Sequence, residues 1–252
     1  MKTHTTLSLV SLVVATVFAP ALKAQVSTPM RERIEASYII AFGREPSSGE
    51  IAYWARQNPS SVAALVANHR NYLSRDAGTH RATIIRAYDD ALGRNPTPGE
   101  IAYWFRGNDT YEQLMHNHIA WLGGNPGQYD LVIRRSYMHV FHRQPSSGEL
   151  AYWKRQGVLS YVMLVACHED WERRNGGRMR MGGALVMSPN TPGLVTVQLA
   201  PQIANEARAA AGVIPAGGGN VIAAGGGNVI AAGGGNVIAA GGGNVITAGG
   251  GN

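Results

Sequence analysis

One segment of eleven residues occurs three times in this chain of 252 residues. It runs from Arg44 to Trp54, from Arg94 to Trp104 and from Arg143 to Trp153, so the copies start 50 and 49 residues apart. All three begin Arg-x-Pro, contain Gly-Glu and end Ala-Tyr-Trp. A period of this length indicates one structural unit that packs against copies of itself. Because an enzyme site is usually a single asymmetric constellation, the repetition favours a scaffold.

Each copy is predicted to form three short helices. The first helix carries apolar residues at a spacing of four, which places them on one face. These residues are Ile34, Tyr38 and Phe42, then Ile84, Tyr88 and Leu92, then Ile133, Tyr137 and Phe141. Gly43 and Gly93 follow, and glycine suits the left-handed residue that ends a helix. The third copy has His142 there, so we expect a strained or reshaped turn.

The repeated segment itself is predicted to start the second helix. Ser47, Thr97 and Ser146 each precede a glutamate by three residues, which is the capping-box arrangement. A structural role is therefore assigned to Arg44, Pro46, Glu50, Tyr53 and Trp54, to Arg94, Pro96, Glu100, Tyr103 and Trp104, and to Arg143, Pro145, Glu149, Tyr152 and Trp153. The tyrosines and tryptophans are predicted to supply apolar area to the core. The three arginines either brace loops through carbonyl groups or support a binding surface.

The third helices are predicted at Val62–Leu73, Tyr111–Leu122 and Tyr161–Trp171. Each contains one histidine at an equivalent position: His69, His118 and His168. Three such rings around a pseudo-threefold axis would suit zinc. The alternative is one buried histidine per copy, bonded to a neighbouring backbone group, and we favour it because linear stacking would separate the rings by a module's width. No metal or cofactor is predicted.

The chain divides into four segments. Residues 1–24 have the layout of a secretory signal, with Lys2 before an apolar run that is too short to span a bilayer. Residues 25–175 form the helical region, with copies at about 30–78, 79–127 and 128–175, which either stack linearly or close into one globule. Residues 176–215 are predicted to be a loosely structured connector with a short strand and a short helix. We expect a soluble, exported protein without a later membrane span, located in the periplasm, on the cell surface or outside the cell.

Residues 216–252 form a low-complexity, glycine-rich tail. Gly-Gly-Gly-Asn-Val-Ile-Ala-Ala begins at Gly217 and recurs every eight residues. Triple glycine opposes a helix, and the absence of charge and aromatic residues favours disorder. The alternative is a stacked β form, in which Asn220 aligns with Asn228 in a ladder of side-chain amides.

Charge and cysteine content narrow the candidate binding groups. Removing residues 1–24 takes away Lys2 and Lys23, so the formal charge falls from +6 to +4. Basic residues alternate with acids, which argues against nucleic-acid binding. The candidate binding residues are the surface arginines Arg56, Arg106 and Arg155, together with Arg173 and Arg174. The last two belong to a denser patch with Arg178 and Arg180, for which a solvated linker edge is favoured over an anion site. The single cysteine, Cys167, is predicted to be buried and inert.

The repeated pattern resembles a family of bacterial extracellular modules, the "domain of unknown function forty-two fourteen", which is distantly similar to phycobilisome linker domains. In the first copy the resemblance lies in Tyr38, Phe42, Gly43, Arg44, Pro46, Tyr53 and Trp54, and it extends over about residues 30–175. It implies a helical module of exported proteins, often found beside repeats or adhesive and enzymatic domains, with no assigned active site. Family copies often carry Asp soon after the proline and end in Ser-x-Glu-Phe. This chain has Ser or Thr and His-x-x-Tyr or Trp instead, so no acid-based calcium or ligand role is carried over.

The sequence contains no zinc-protease helix, nucleophile elbow or phosphate-binding loop. We therefore expect a non-catalytic protein whose helical region presents a surface to an envelope glycan or another surface protein. The alternative is a structural component that self-assembles through the tail. A hydrolase is a distant third hypothesis.

Overall fold

A computed structural model of the chain describes residues 26–175 and 196–211, together with four short strands at 222–224, 229–232, 238–240 and 245–248. The predicted signal segment, residues 1–24, lies outside these described residues. The all-α fold class is confirmed, because helices make up most of residues 26–175 and 196–211, which we call the body. None of the helices in the described part of the chain is long and apolar enough to cross a bilayer.

Nine helices of residues 26–175 follow one another in three sets of three. The first set is α1 (Thr28–Phe42), α2 (Ser48–Gln57) and α3 (Val62–Leu73); the second is α4 (Ala77–Leu92), α5 (Pro98–Trp104) and α6 (Tyr111–Gly124); the third is α7 (Pro126–Phe141), α8 (Ser147–Arg155) and α9 (Tyr161–Asn175). In each set the first and third helices pack against each other. The short second helix starts in each case at a complete capping box, as the sequence predicts.

Neighbouring sets meet where the first helix of one set ends. Gly43 closes α1 with φ of 68°, and a Cβ atom at this glycine would lie 2.5 Å from the ring of Tyr111, the first residue of α6. Arg86 of α4 donates from Nη1 to the Gly43 carbonyl oxygen at 3.4 Å. The Tyr111 hydroxyl donates to the buried Asp90 carboxylate at 2.8 Å, and burial raises the pKa of Asp90 to about 7. We call the contact of Tyr111 and Arg86 with the end of α1 the joint between the first two sets.

The second joint repeats the first. Gly93 closes α4 with φ of 64°, and a Cβ atom there would lie 2.5 Å from the ring of Tyr161. Arg135 of α7 donates to the Leu92 carbonyl oxygen at 2.8 Å. Both glycines are therefore required twice, once by the left-handed backbone and once by the ring that lies against them.

The two ends of the row lack one half of the joint. His142, the residue of the third set that corresponds to Gly43, adopts the left-handed conformation with φ of 53° and is exposed. Its turn keeps the same form, since no fourth ring lies against it in residues 26–175 or 196–211. Val62 of the first set corresponds to Tyr111, and it packs in a buried cluster with the helix described next. Of the two expected outcomes at His142, the turn is not reshaped, and its left-handed backbone is the strained alternative for a residue with a Cβ atom.

Part of the predicted connector is a docked element. Strand β1 (Thr196–Leu199) leads into α10 (Pro201–Ala211), which packs on α1 and α3 and buries Ile203, Ala204 and Ala207. Glu206 accepts from Arg33 Nη2 at 2.9 Å and from the Val62 backbone N–H at 3.2 Å. The predicted short strand and short helix are both found in residues 196–211. The prediction that this segment is loosely structured is wrong, because the alanine-rich helix completes the core of the first set. Residues 176–195 and 212–215 lie outside the described part.

Four strands of the tail pair in parallel: β2 (Ile222–Ala224) with β4 (Ile238–Ala240), and β3 (Val229–Ala232) with β5 (Val245–Ala248). Both registers join residues sixteen apart, Ile222 with Ile238 and Val229 with Val245. β5 also pairs with β1. Successive octapeptides therefore alternate between two sheets, whereas the expected ladder placed neighbouring octapeptides in register. Asn220 and Asn228 themselves lie outside the described residues.

The joint predicts a large difference between two glycine-to-alanine substitutions. Gly43→Ala places a methyl group against the Tyr111 ring in a left-handed backbone, so we expect it to lower the free energy of unfolding by about 2–4 kcal/mol. Gly99→Ala adds a methyl group near the start of α5 with no atom within 4 Å, and we expect a change of less than about 0.5 kcal/mol. Urea unfolding followed by circular dichroism measures both, and equal effects would contradict the joint.

Candidate functional site

The arginine and glutamate of each repeated segment form a bidentate ion pair. Arg44 donates from Nη1 and Nη2 to the two carboxylate oxygens of Glu50 at 2.9 and 2.7 Å. Arg94 with Glu100, and Arg143 with Glu149, do the same at 2.9 and 2.6 Å. Each arginine also donates to the carbonyl oxygen of the next residue, at 3.0 or 3.1 Å. The loop-bracing interpretation of these arginines therefore describes their contacts.

The same glutamates hold the start of the second helix. The Glu50 carboxylate accepts the backbone N–H of Ser47 at 2.7 Å, and Thr97 and Ser146 donate to their glutamates at the same distance. The hydrogen bonds from arginine, followed by those from the capping residue, lower the pKa of Glu50, Glu100 and Glu149 to about 2. These carboxylates are ionised at neutral pH, so they are poor proton donors for general acid catalysis.

The tryptophans join the second helix to the first. Trp54 Nε1 donates to the Tyr38 hydroxyl at 3.1 Å, and Trp104 with Tyr88, and Trp153 with Tyr137, form the same bond at 3.0 Å. Trp153 is 6% exposed, while Trp54 and Trp104 are half-buried. The predicted interior position is thus found in full only for Trp153.

The tyrosines before these tryptophans do not follow the prediction. Tyr53 is 50% exposed and Tyr103 is 60% exposed, although both were expected in the core. Adjacent residues on a helix point about 100° apart, so the tyrosine points to the side when the tryptophan faces the first helix. In the third set Tyr152 is half-buried and packs against the core. The Trp side faces the first helix, and the Tyr side faces solvent in the first two sets.

Each histidine of the third helices lies among aromatic rings of its own set. The His69 ring lies 4.6 Å from Tyr38 and 5.1 Å from Trp54, and His118 and His168 have corresponding neighbours. Burial lowers the pKa of His69 and His118 to about 4 and that of His168 to about 3. The three rings are therefore neutral and are not brought together. Residues 26–175 and 196–211 contain no group of three or more metal-binding side chains.

Cys167 and its neighbour His168 do not form a reactive pair. Cys167 is 4% exposed, and burial raises its pKa to about 12. The group is a protonated thiol at neutral pH, and a thiol is a weak nucleophile compared with a thiolate. Cys167 thus fills space in the core of the third set, as the sequence suggests.

The predicted surface arginines lie at or just after the ends of the second helices. Arg56, Arg106 and Arg155 are all exposed, and the Arg106 guanidinium lies 6.0 Å from the Tyr103 ring centre. Arg173 and Arg174 are exposed but both pair with the buried carboxylate of Asp170. The charge of the Arg173–Arg174 pair is therefore partly compensated, and Arg178 and Arg180 lie outside the described residues.

Open cavities occur at the same place in the first two sets. The first pocket, of about 710 Å³, is lined by residues that include Tyr38, Arg44, Glu50, Tyr53, Trp54, Asn68, His69 and Tyr72. The second pocket, of about 500 Å³, is lined by Tyr88, Leu92, Arg94, Glu100, Tyr103, Trp104, Asn117, His118 and Trp121. Nine positions of the repeat are shared between these two linings, including Phe42 and Leu92. The repeated motif thus forms the inner wall of each cavity.

The outer wall of these pockets was not predicted from the sequence. Tyr72 is 50% exposed and Trp121 is 42% exposed, and both lie three residues after the buried histidine. An asparagine directly precedes that histidine in the first two copies, Asn68 and Asn117, and Cys167 replaces it in the third. An aromatic residue at an exposed, repeated position was the available signal.

The corresponding place in the third set is more closed. Trp171 takes the position of Tyr72 and Trp121, and its ring lies 5.6 Å from the Phe141 ring, edge to face. Glu149 is 4% exposed, whereas Glu50 and Glu100 are half-buried. The third copy therefore uses the same residues for packing that the first two copies leave at an open surface.

Comparison of the chain with family models, with curated proteins and with solved structures found no match. The resemblance to the bacterial extracellular modules therefore stays a prediction.

The depressed glutamate pKa predicts a specific acid response. A carboxylate whose pKa is lowered in the folded state stabilises the protein above its unfolded pKa of about 4.5, and this contribution is lost as the pH falls toward 2. Glu100→Gln removes the charge from the pair with Arg94, so we expect a loss of about 0.5–1 kcal/mol at pH 7. The difference from the unmodified protein should shrink between pH 4.5 and pH 2.

Urea midpoints measured at pH 7, 4.5, 3 and 2 test this response. Protonation of the buried histidines also lowers the stability as the pH falls from about 6.5 to 3, and both proteins share that loss. Glu45→Gln, in an exposed loop position, is the matched control and should follow the unmodified protein throughout. A constant difference at all pH values for Glu100→Gln would contradict the assigned role.

Proposed function

We propose that this chain is an exported, non-catalytic binding protein of the bacterial cell envelope or exterior, whose helical body presents an interaction surface to a glycan or another surface protein. The observation that carries the proposal is that the ionisable groups of the motif are all engaged in contacts that hold the fold together. Glu50, Glu100 and Glu149 hold helix starts, their arginine partners hold loops, and the histidines are buried and neutral. Chemistry of proton transfer or nucleophilic attack has little support in such an arrangement.

Repetition supports binding to a repetitive partner. Arg56, Arg106 and Arg155 recur at equivalent exposed positions, and the first two sets also expose a tyrosine beside the half-buried tryptophan. Weak contacts that are linked in one body add up to a stronger total affinity, provided the partner offers matching sites. A polysaccharide of the envelope has this property.

Binding of the mature protein to envelope material tests the proposal. We expect fluorescently labelled protein to bind intact cells of the producing organism, and periodate oxidation of the cell-surface glycans to reduce the bound amount at least about tenfold. Replacing Arg56, Arg106 and Arg155 together with alanine should weaken binding without changing the unfolding midpoint, since all three are exposed. Turnover in a hydrolase screen would contradict the proposal. So would binding that is equally strong to untreated cells, to oxidised cells and to an unrelated surface.

A second candidate function is self-assembly through the tail. It is favoured by the parallel pairing of β3 with β5 and of β2 with β4 at a register of sixteen residues. Short parallel sheets keep unpaired backbone groups at their edges, and another chain can pair with them. Within strands 222–248, alternate octapeptides thus provide the geometry of a growing stack.

Truncation after Pro215 separates the two functions, because it keeps α10 and removes the octapeptides. If the tail assembles, sedimentation of the full chain shows multimers and the truncated chain sediments as a monomer. Replacing Val229, Ile230, Val245 and Ile246 with serine in the full chain is the matched control, and it should also give monomers. Multimers that persist after truncation would contradict assembly by the tail.

A further inference from the structure

The two pockets combine a fixed inner wall with an exposed outer wall. In the first pocket the inner wall is the bonded pair of Tyr38 and Trp54, with the His69 ring packed against both. The outer wall consists of Tyr53 and Tyr72, each half exposed. The inner wall is held by hydrogen bonds before any ligand arrives, which lowers the entropy that binding would cost.

The second pocket repeats this arrangement with larger outer rings. Tyr88, Trp104 and His118 form its inner wall, and Tyr103 and Trp121 form its exposed wall. Trp121 takes the place of Tyr72, so an aromatic ring is kept while its identity changes. Volumes of about 500 and 710 Å³ fall in the range of ordinary small-molecule sites.

The charges at the pockets cancel. Arg44 is paired with Glu50 and Arg94 with Glu100, each through two hydrogen bonds. A free anion would compete with a carboxylate that already occupies the guanidinium fork. The shared part of both linings therefore favours a neutral ligand, although Arg75 adds one charge at the rim of the first pocket.

A cationic ligand is disfavoured by the same arginines. The Arg44 guanidinium lies 5.1 Å from the centre of the Tyr38 ring, and that of Arg94 lies 5.2 Å from Tyr88. The inner tyrosine of each pocket thus already contacts an arginine, and the positive charge of that arginine would repel a quaternary ammonium group.

The geometry points to a neutral pyranose unit of a glycan as the occupant of each pocket. A pyranose ring presents an apolar C–H face that packs on an aromatic ring, and hydroxyl groups at its edge that exchange hydrogen bonds. Asn68 and Asn117 are exposed at equivalent positions. Asn68 Nδ2 donates one hydrogen bond to the Ala64 carbonyl oxygen at 3.1 Å, which leaves a second N–H and the amide oxygen for a ligand. This assignment rests on the proposed binding function and names its ligand class and its residues. Two equivalent sites in neighbouring sets suit two units of one polymer.

The experiment records nuclear magnetic resonance spectra of the mature full-length chain and follows the indole N–H signals of its five tryptophans. Trp54 reports on the first pocket, Trp104 and Trp121 report on the second, and the buried Trp153 is the reference. The probes are cellohexaose, laminarihexaose, maltohexaose and chitohexaose, with tetramethylammonium and inorganic phosphate as charged probes. We expect at least one hexasaccharide to shift Trp54 and Trp104 with similar dissociation constants, and to leave Trp153 unchanged.

Paired substitutions remove the aromatic outer wall of one pocket at a time. Tyr103→Ala with Trp121→Ala should abolish the Trp104 shift, keep the Trp54 shift and weaken binding of the corresponding polysaccharide at least about tenfold, because bivalent contact is lost. Tyr53→Ala with Tyr72→Ala should give the converse result. Leu131→Ala with Met138→Ala is the matched control, since both side chains are similarly exposed on α7 away from the pockets. The control should bind like the unmodified protein.

The outcomes distinguish this inference from the proposed function. The pocket assignment is overturned if no hexasaccharide shifts Trp54 or Trp104, if tetramethylammonium or phosphate shifts them instead, or if removing both outer walls leaves polysaccharide binding unchanged. The proposed function survives any of these results if periodate-sensitive binding to cells remains. It fails together with the pocket assignment only if cell binding is absent as well.

Discussion

The carboxylate of one glutamate per set is the interaction on which the rest of each set depends. It closes the capping box at the start of the short second helix and takes both arms of an arginine from the preceding turn. A helix of seven to ten residues is marginal in isolation, so the cap and the ion pair determine where it begins. With that start fixed, the tryptophan four residues after the glutamate reaches the hydroxyl of the first-helix tyrosine. The histidine then packs on both rings, which completes a small core around a network of charged and aromatic groups.

The joint determines how the sets follow one another. A helix-ending glycine, a tyrosine laid on it and an arginine that binds the helix carboxyl end recur between the first and second sets and between the second and third. The sequence carries each half of this contact only where a neighbour exists. Val62 stands in place of the tyrosine in the first set, and His142 stands in place of the glycine in the third. The departures from the repeat are therefore features of the two ends of the row.

Much of the local structure followed from the sequence, because it depends on short-range chemistry. Apolar spacing in Ile34, Tyr38 and Phe42 identified a helix, and Ser47 with Glu50 identified the start of the next one. The exposure of Tyr53 and Tyr103 did not follow, because periodicity in a short helix does not define which side meets the body. The docking of α10 was missed because glycine and proline around it suggest a linker, while its burial depends on surfaces contributed by α1 and α3. The pockets were missed for the same reason, since their walls come from three helices that meet only after folding.

The position of α10 has a consequence for the order in which the protein is completed. Its residues lie more than a hundred positions after the helices that it covers. The Glu206 carboxylate pairs with Arg33 of α1 and accepts a hydrogen bond from the backbone N–H of Val62, the first residue of α3. A chain synthesised from its N-terminus therefore contains the first set long before the helix that covers it. Until Ile203 and Ala207 arrive, the surface of α1 and α3 beneath them is uncovered, so the earliest part of the body to be synthesised is the last to be finished.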